Sequence, residues 1–315
     1  MIDLALANLV PLGATPVQIT PLGTGTWAWG DRFVWGYGGG SYNDSDLREA
    51  FRVTLQMGIN WFDTAEVYGF GRSETLLGQF IPESGQQAVI ATKLMPLPWR
   101  LRPSGTVAAL RHSLQRLRLD RVDLYQVHWP LPPIEMWMAG LAEAVEAGLT
   151  RAVGVSNYDV EQTRRAYTAL KARGVPLASN QVEYSLLHRE PERNGLLQYC
   201  REQNIMVIAY SPIAKGILTG KYTPEHTPPG RRGQGYNRSY LTRVQPLLQL
   251  LNKIGDAHGK SMTQVALNWV LCKGAVAIPG AKNLRQAQEN AGGQGWRLDE
   301  GEVLELDRVS ERVGG

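Results

Sequence analysis

Four residues whose side chains can exchange protons follow one another at the ends of apolar runs in the sequence. Asp63 lies near the end of the run at residues 60–65, and Tyr68 follows it by five residues. Lys93 and His128 lie at the ends of the next two runs. If these runs are neighbouring strands of a parallel barrel, their carboxyl ends meet on one rim, where the active sites of such folds form. The sequence therefore predicts that the four side chains converge on one catalytic site.

These residue types suit the reduction of a carbonyl group. Hydride added to the carbonyl carbon leaves an alkoxide that needs a proton, which the Tyr68 phenol could supply. The pKa of a free phenol is about 10, and the ammonium group of Lys93 would lower it. Asp63 would hold that ammonium, and His128 would hydrogen-bond the carbonyl oxygen. Considered one at a time, each of the four could have a purely structural role: respectively a helix cap, a half-buried ring, a surface lysine and a core histidine. Their placement at consecutive strand ends favours catalysis.

Short apolar runs alternate with amphipathic segments along the chain, which predicts an α/β fold. Continuous apolarity is typical of strands covered on both faces, and helices between them imply right-handed crossovers. We expect one domain over residues 1–315. The count of runs fits a closed (β/α)8 TIM barrel, although an open doubly wound sheet has the same periodicity. The eight runs lie at residues 19–26, 60–65, 88–94, 122–129, 151–157, 177–184, 205–213 and 275–281.

Six segments have the apolar spacing of helices, and two long segments have the composition of loops. Asp159 is a plausible N-cap for one of these helices. The segments at residues 30–44 and 223–240 are rich in glycine and in aromatic or proline residues, and loops of this length are usually functional or mobile. We expect the second loop to become more ordered when a cofactor binds, and the positive charge of Arg231, Arg232 and Arg238 in it to face the phosphates. The predicted helices are 46–57, 106–119, 159–174, 192–203, 244–258 and 262–272.

Composition excludes several classes of protein. The chain has 315 residues, of which 43% are hydrophobic and 20% charged, and its net charge is +4. This is ordinary for a soluble globular protein, and the small charge argues against a nucleic-acid partner. We expect no membrane span, because no run of about 20 apolar residues is present, and no secretory signal. Cys200, Cys272 and the five histidines lack metal-ligand spacing, so we expect no metal, reduced thiols and a cytoplasmic location.

The sequence around the four proton-exchanging residues resembles the aldo-keto reductase family. Residues 58–65 read GINWFDTA and residues 71–74 read GRSE. The likeness continues through GVSN at 154–157, NQVEY at 180–184, AYSP at 209–212 and IPGAK at 278–282. The family's Asp, Tyr, Lys and His correspond here to Asp63, Tyr68, Lys93 and His128. The resemblance covers nearly the whole chain, and it implies the closed barrel and the NADPH-dependent reduction of small aldehydes or ketones.

The resemblance also implies where a dinucleotide would bind. Hydrogen bonds to the nicotinamide carboxamide would come from Ser156, Asn157 and Gln181, with Tyr210 stacked on the ring. After that strand, the residues implied near the pyrophosphate are Ser211, Ile213, Lys215, Leu218 and Gly220. Near the adenosine they are Gly280, Lys282, Gln286, Glu289 and Asn290. An ammonium at Lys282 would suit a 2′-phosphate, so we expect NADPH to be preferred over NADH.

Other binding modes and other functions compete with this interpretation. No complete GxGxxG or GxxxxGK[ST] motif is present, which excludes a Rossmann fingerprint and a P-loop. Trp27 and Trp129 are expected to form an apolar pocket for a small carbonyl substrate. Two alternatives stay open: a cofactor-binding regulatory subunit with little turnover, and a barrel aldolase that uses Lys93 as a Schiff-base nucleophile.

Overall fold

The barrel strands follow one another around the sheet in chain order. The structure is a computed structural model that describes residues 3–233 and 235–313. Eight parallel strands pair consecutively from β3 to β10. Their bounds are β3 Thr24–Gly25, β4 Trp61–Asp63, β5 Val89–Leu94, β6 Val122–Val127, β7 Thr150–Ser156, β8 Leu177–Glu183, β9 Met206–Tyr210 and β10 Val276–Ile278.

Backbone contacts between the first and last strands close the ring. Parallel bridges join Leu22 to Ala277 and Gly25 to Gly280. The amide of Gly23 donates to the carbonyl of Ala277 at 2.8 Å. A closed barrel has no unpaired sheet edge. The prediction of a single-domain (β/α)8 TIM barrel is confirmed over the open-sheet alternative.

The first predicted run is divided between two structures. Residues 18–19 belong to an antiparallel hairpin of β1 (Val10–Pro11) and β2 (Gln18–Ile19), and the barrel strand begins at Thr24. Pro21 lies between the two parts and has no amide to donate to a strand ladder. A Cβ on Gly13 would come within 2.3 Å of the Ala178 carbonyl oxygen. The hairpin therefore packs on the amino end of the barrel, opposite the rim predicted to hold the site.

Helices surround the strands, and several differ from the prediction. The predicted helix 192–203 is two helices separated by Gly195, which has a φ of 81°. The predicted helix 244–258 begins earlier, at Arg238, because Asn237 caps it. Three helices were not predicted: α2, α4 and α11. The bounds are α1 Asp44–Gln56, α2 Arg72–Ser84, α3 Pro103–Leu117, α4 Ile134–Glu146, α5 Val160–Lys171, α6 Glu190–Arg193, α7 Leu196–Glu202, α8 Arg238–His258, α9 Met262–Cys272, α10 Leu284–Ala291 and α11 Glu300–Val313.

Side-chain caps explain where several of these helices begin. Asn43 accepts from the amides of Ser45 and Asp46 at the start of α1. Asp159 accepts from the Gln162 amide at 2.8 Å, so the predicted N-cap of α5 is confirmed. Each such cap typically stabilises a helix by about 1 kcal/mol. These caps fix the points at which the chain leaves the strand ends.

The two long loops behave differently. The first, at residues 30–43, is held to the start of α2 by Arg72, which donates to the Tyr37 hydroxyl at 3.4 Å and pairs with Asp44 at 2.5 Å. The second contains one turn of 3-10 helix at Gly230–Gly233, and its last residues form the first turn of α8. The side chains of Arg231 and Arg232, which we expected to face phosphates, lie outside the described residues. Within residues 3–233 and 235–313, no helix is long and apolar enough to cross a membrane.

Candidate active site

Three neighbouring strands bring the predicted catalytic residues to the carboxyl rim of the barrel. Asp63 is the last residue of β4, Lys93 lies one residue before the end of β5, and His128 directly follows β6. Tyr68 begins a short 3-10 turn after β4. Within that turn, Gly69 and Phe70 both have positive φ values, of 57° and 55°. This backbone turns the chain back toward the rim, so Tyr68 comes to lie beside Lys93.

Lys93 is the centre of a buried hydrogen-bond network. Its side chain is fully buried, and its ammonium forms an ion pair with the Asp63 carboxylate. The same ammonium donates to the Thr64 carbonyl at 2.9 Å and to the Tyr68 hydroxyl at 3.2 Å. The Asp63 carboxylate also accepts from the side-chain amide of Gln181 at 2.8 Å and from that of Gln126 at 3.2 Å. Buried charges persist only when paired and hydrogen-bonded in this way.

Burial and charge act in opposite directions on Lys93 and Tyr68. Burial lowers the pKa of Lys93, but Asp63 and Tyr68 outweigh it, so the pKa is raised and the ammonium stays charged. For Tyr68, burial raises the pKa, Lys93 lowers it and Asp63 raises it, with a net increase above 10.0. The expected net lowering of the Tyr68 pKa is therefore not found, because desolvation exceeds the effect of the ammonium. At neutral pH the phenol carries its proton.

His128 faces Tyr68 as a neutral ring. Burial, with a further contribution from Lys93, lowers the pKa of His128 to about 3. The imidazole and the Tyr68 ring meet edge to face, with centroids 5.7 Å apart. The buried Nδ1 atom of His128 has no hydrogen-bond partner among the described residues. A neutral imidazole has one N–H donor, so His128 and Tyr68 can both donate to an oxygen placed between them.

A cavity of about 650 Å³ opens on this rim. Of the described residues that we predicted for the site, only Lys93, Leu218 and Gly220 do not line it. Lys93 lies behind Asp63 and Tyr68, Leu218 is buried in the core, and Gly220 packs beside Met262. The predicted residues that line it are Trp27, Asp63, Tyr68, His128, Trp129, Ser156, Asn157, Gln181, Tyr210, Ser211, Ile213, Lys215, Gly280, Lys282, Gln286, Glu289 and Asn290.

The burial of Lys93 bears on the aldolase alternative. A Schiff-base lysine needs an unprotonated amine that a substrate carbonyl can reach. The ammonium of Lys93 is held by three oxygen atoms, its pKa is raised, and it does not line the cavity. The geometry therefore disfavours a Schiff base at this residue.

Polar side chains on three adjacent strand ends form one side of the cavity. The Tyr210 hydroxyl donates to Asn157 Oδ1 at 2.9 Å, and Asn157 Nδ2 donates to the His128 carbonyl at 3.0 Å. The Ser156 hydroxyl donates to the Gln181 carbonyl at 2.9 Å. Asn157 has a φ of 63°, a conformation that asparagine tolerates better than most residues. These contacts bring together the groups expected to bind a carboxamide and a flat ring.

Basic residues are concentrated at the far side of the cavity. Lys215 and Lys221 follow β9, whereas Lys282 and Arg285 lie after β10 and at the start of α10. One acidic residue, Glu289, lies among them and accepts from the Ser261 hydroxyl. Such an excess of positive charge suits a ligand with several phosphates. This part of the cavity fits an extended anion.

Some lining residues were not predicted. Arg285 lies in the first turn of α10, three residues after Lys282, and a second cation so close to Lys282 in the sequence could have indicated it. Thr263 and Met95 also line the cavity. Met95 directly follows β5, and Thr263 lies in the first turn of α9. No signal in the sequence distinguishes these two from ordinary strand-end and helix residues.

Aromatic rings enclose the remaining part of the cavity, beside Tyr68. The Trp27 ring lies 6.5 Å from that of Tyr68 and 5.6 Å from that of Trp35. On the other side, the Trp129 ring is stacked near His128 at 6.4 Å, and Trp129 is 49% exposed. An apolar cavity with a few convergent polar groups is typical of a small-molecule site. This end suits a flat, apolar substrate.

Comparisons with known proteins agree with this geometry. A sequence model described as "Aldo/keto reductase family" matches residues 21–311. "Pyridoxal reductase, chloroplastic" of Arabidopsis thaliana is 44% identical over 312 residues, which cover 94% of this chain and 84% of that protein.

Two solved structures are similar over almost their whole length. The glycerol dehydrogenase AKR11B4 from Gluconobacter oxydans superposes with a TM-score of 0.85 and 29% identity, covering 98% of this chain and 97% of that one. An aldo-keto reductase from Klebsiella pneumoniae, in complex with NADPH, has a TM-score of 0.75 and 25% identity. That match covers 98% of this chain and 96% of the other.

Proposed function

Because the chain belongs to the aldo/keto reductase family of oxidoreductases, we propose that it reduces small aldehydes or ketones with NADPH, and that Tyr68 is the proton donor. The observation that carries the proposal is the position of the Tyr68 hydroxyl. It lies 3.2 Å from the buried Lys93 ammonium, opposite the neutral His128 ring, at a cavity whose far side is basic.

The chain's own residues account for the proton transfer. NADPH, when bound, supplies the hydride that adds to the carbonyl carbon. As negative charge develops on the carbonyl oxygen, the Tyr68 hydroxyl gives that oxygen its proton. The Lys93 ammonium then stabilises the phenolate left behind, and Asp63 keeps the ammonium in place. His128 donates a second hydrogen bond and orients the carbonyl.

The cavity fits a nicotinamide dinucleotide along its length. Asn157 and Gln181 would hold the carboxamide, and the Tyr210 ring would lie against the nicotinamide. Lys215 would meet the pyrophosphate, and Lys282 would meet the 2′-phosphate. Charge-assisted contacts of this kind contribute about 1.5–3 kcal/mol each. Because only NADPH carries the 2′-phosphate, the contact with Lys282 supports a preference for NADPH over NADH.

The substrate end favours a flat aromatic aldehyde. Trp27, Trp129 and the Tyr68 ring offer apolar faces, and aromatic pairs gain about 0.5–1.5 kcal/mol beyond area burial. Pyridoxal is a planar aldehyde of a pyridine ring, and the 44% identical Arabidopsis protein is named for its reduction. We propose pyridoxal as the substrate to test first.

The test is NADPH oxidation by the purified chain with pyridoxal, pyridoxal phosphate and benzaldehyde. Wild type is expected to consume NADPH, whereas Tyr68→Phe loses most turnover and keeps its affinity for NADP⁺. Phe70 is exposed and lies in the same 3-10 turn as Tyr68, so Phe70→Leu is the matched control for a change in that turn. Wild-type rates in Tyr68→Phe would refute the proton-donor role. Cofactor binding without turnover of any aldehyde would favour the regulatory-subunit alternative.

A further inference from the structure

The loop at residues 30–43, here called the aromatic loop, reaches the strand end that carries Lys282. The Lys282 ammonium lies 4.6 Å from the centroid of the Tyr42 ring and 5.5 Å from that of Trp35. Just before the loop, the Trp29 indole donates to the Ala281 carbonyl at 2.8 Å. The backbone and the side chain of this strand end are therefore both contacted from one segment.

The loop itself is firmly held. Tyr42 is 4% exposed, and its hydroxyl donates to the Ala28 carbonyl at 2.6 Å. The amides of Val34 and Trp35 donate to the Asp31 carboxylate at 2.7 Å and 3.2 Å. The Tyr42 ring and the Trp35 backbone are thus both held by contacts within the chain.

We propose that Tyr42 and Trp35 form an aromatic cage that positions the Lys282 ammonium for a 2′-phosphate and so sets the preference between NADPH and NADH. The inference rests on the proposed cofactor. A lysine has a flexible four-carbon stem, and ordering it on binding has an entropic cost. An aromatic face within about 6 Å attracts the ammonium. Pre-organisation by the cage removes part of that cost before the phosphate binds.

Trp35 also connects the cage to the substrate end. It lines the cavity and meets Trp27 edge to face, at an interplanar angle of 84°. Tyr42 does not line the cavity. A change at Tyr42 therefore tests the cage without altering a surface that contacts the substrate.

The experiment is calorimetric titration of NADP⁺ and NAD⁺ into the full chain and its variants. Tyr42→Leu removes the ring and should weaken NADP⁺ binding about threefold to tenfold, with NAD⁺ binding unchanged. Tyr42→Phe keeps the ring, loses the hydroxyl contact with Ala28, and should bind NADP⁺ like wild type. In a Lys282→Met background, Tyr42→Leu should cause no further loss of NADP⁺ affinity.

Several results would overturn the cage. Equal weakening of both cofactors in Tyr42→Leu indicates a merely structural role, and tighter NADP⁺ binding indicates that the rings withhold the lysine. If Tyr42→Leu does not fold, Trp35→Leu with Trp35→Phe as its control decides the same question. Unchanged NADP⁺ affinity in Lys282→Met refutes the proposed phosphate contact and the cage together. Selective loss in Lys282→Met without selective loss in Tyr42→Leu refutes the cage alone.

Discussion

Removing the Lys93 ammonium should separate the stability of the site from its activity. In Lys93→Met, the Asp63 carboxylate keeps its two amide donors but loses its ion-pair partner. The two side chains are 0% and 2% exposed, and breaking so buried a pair costs about 3–5 kcal/mol of folding free energy. A domain typically has about 5–15 kcal/mol in total, so the variant should fold but unfold at a lower denaturant concentration.

A second variant tests whether the unpaired Asp63 carboxylate causes the loss of stability. In the double variant Lys93→Met with Asp63→Asn, no unpaired charge is left, and Gln126 and Gln181 can still donate to the asparagine oxygen. Most of the lost stability should return. Activity should not return, because the contact between the ammonium and the Tyr68 hydroxyl at 3.2 Å is missing in both variants. A charge-assisted hydrogen bond of about 1.5–3 kcal/mol corresponds to a loss of roughly 10-fold to 150-fold in kcat.

Denaturant titration gives the free energy of unfolding, and NADPH oxidation gives kcat for all three proteins. Two results would refute this reasoning. If Lys93→Met is as stable as wild type, the carboxylate is not confined as the structure indicates. If the double variant regains activity with stability, the ammonium acts only by supporting the fold.

Three other predictions follow from particular contacts. The pKa of His128 is about 3 in the folded protein, so below about pH 6.5 the unfolded chain binds more protons than the folded one. The free energy of unfolding should therefore be retained above that pH and fall below it, and it should fall less steeply in His128→Asn. Arg116→Met leaves the fully buried Glu74 carboxylate without its ion-pair partner, and should lower the free energy of unfolding by about 3–5 kcal/mol in denaturant titrations. Arg48→Met, which breaks an exposed ion pair, should lower it by less than about 1 kcal/mol. Trypsin should cut the loop at residues 223–240 more slowly with saturating NADPH, and equal cleavage rates would exclude a role for this loop in covering the cofactor.

The position of the proposed catalytic residues could be predicted because it depends on local sequence. Asp63, Lys93 and His128 each lie at or next to the end of a strand, and parallel strands that alternate with helices expose those ends on one rim. The resemblance along the chain added the closed barrel and the proposed cofactor residues. Two of the errors lie where a local pattern has two readings: Pro21 divides one apolar run between a hairpin and a strand, and Gly195 divides one helical segment.

Other features were decided only by the tertiary structure. The protonated state of Tyr68 depends on how deeply its hydroxyl is buried, and burial outweighs the charge of Lys93. Lys93 cannot be reached from the cavity because the side chains of Asp63 and Tyr68 lie in front of it. The contact of Tyr42 and Trp35 with Lys282 joins two ends of the chain. Periodicity and spacing report which residues share a strand or a helix face. Burial and pKa values are set only when neighbouring strands pack together, and the contacts with Lys282 arise only when closure of the barrel brings its first and last strands side by side.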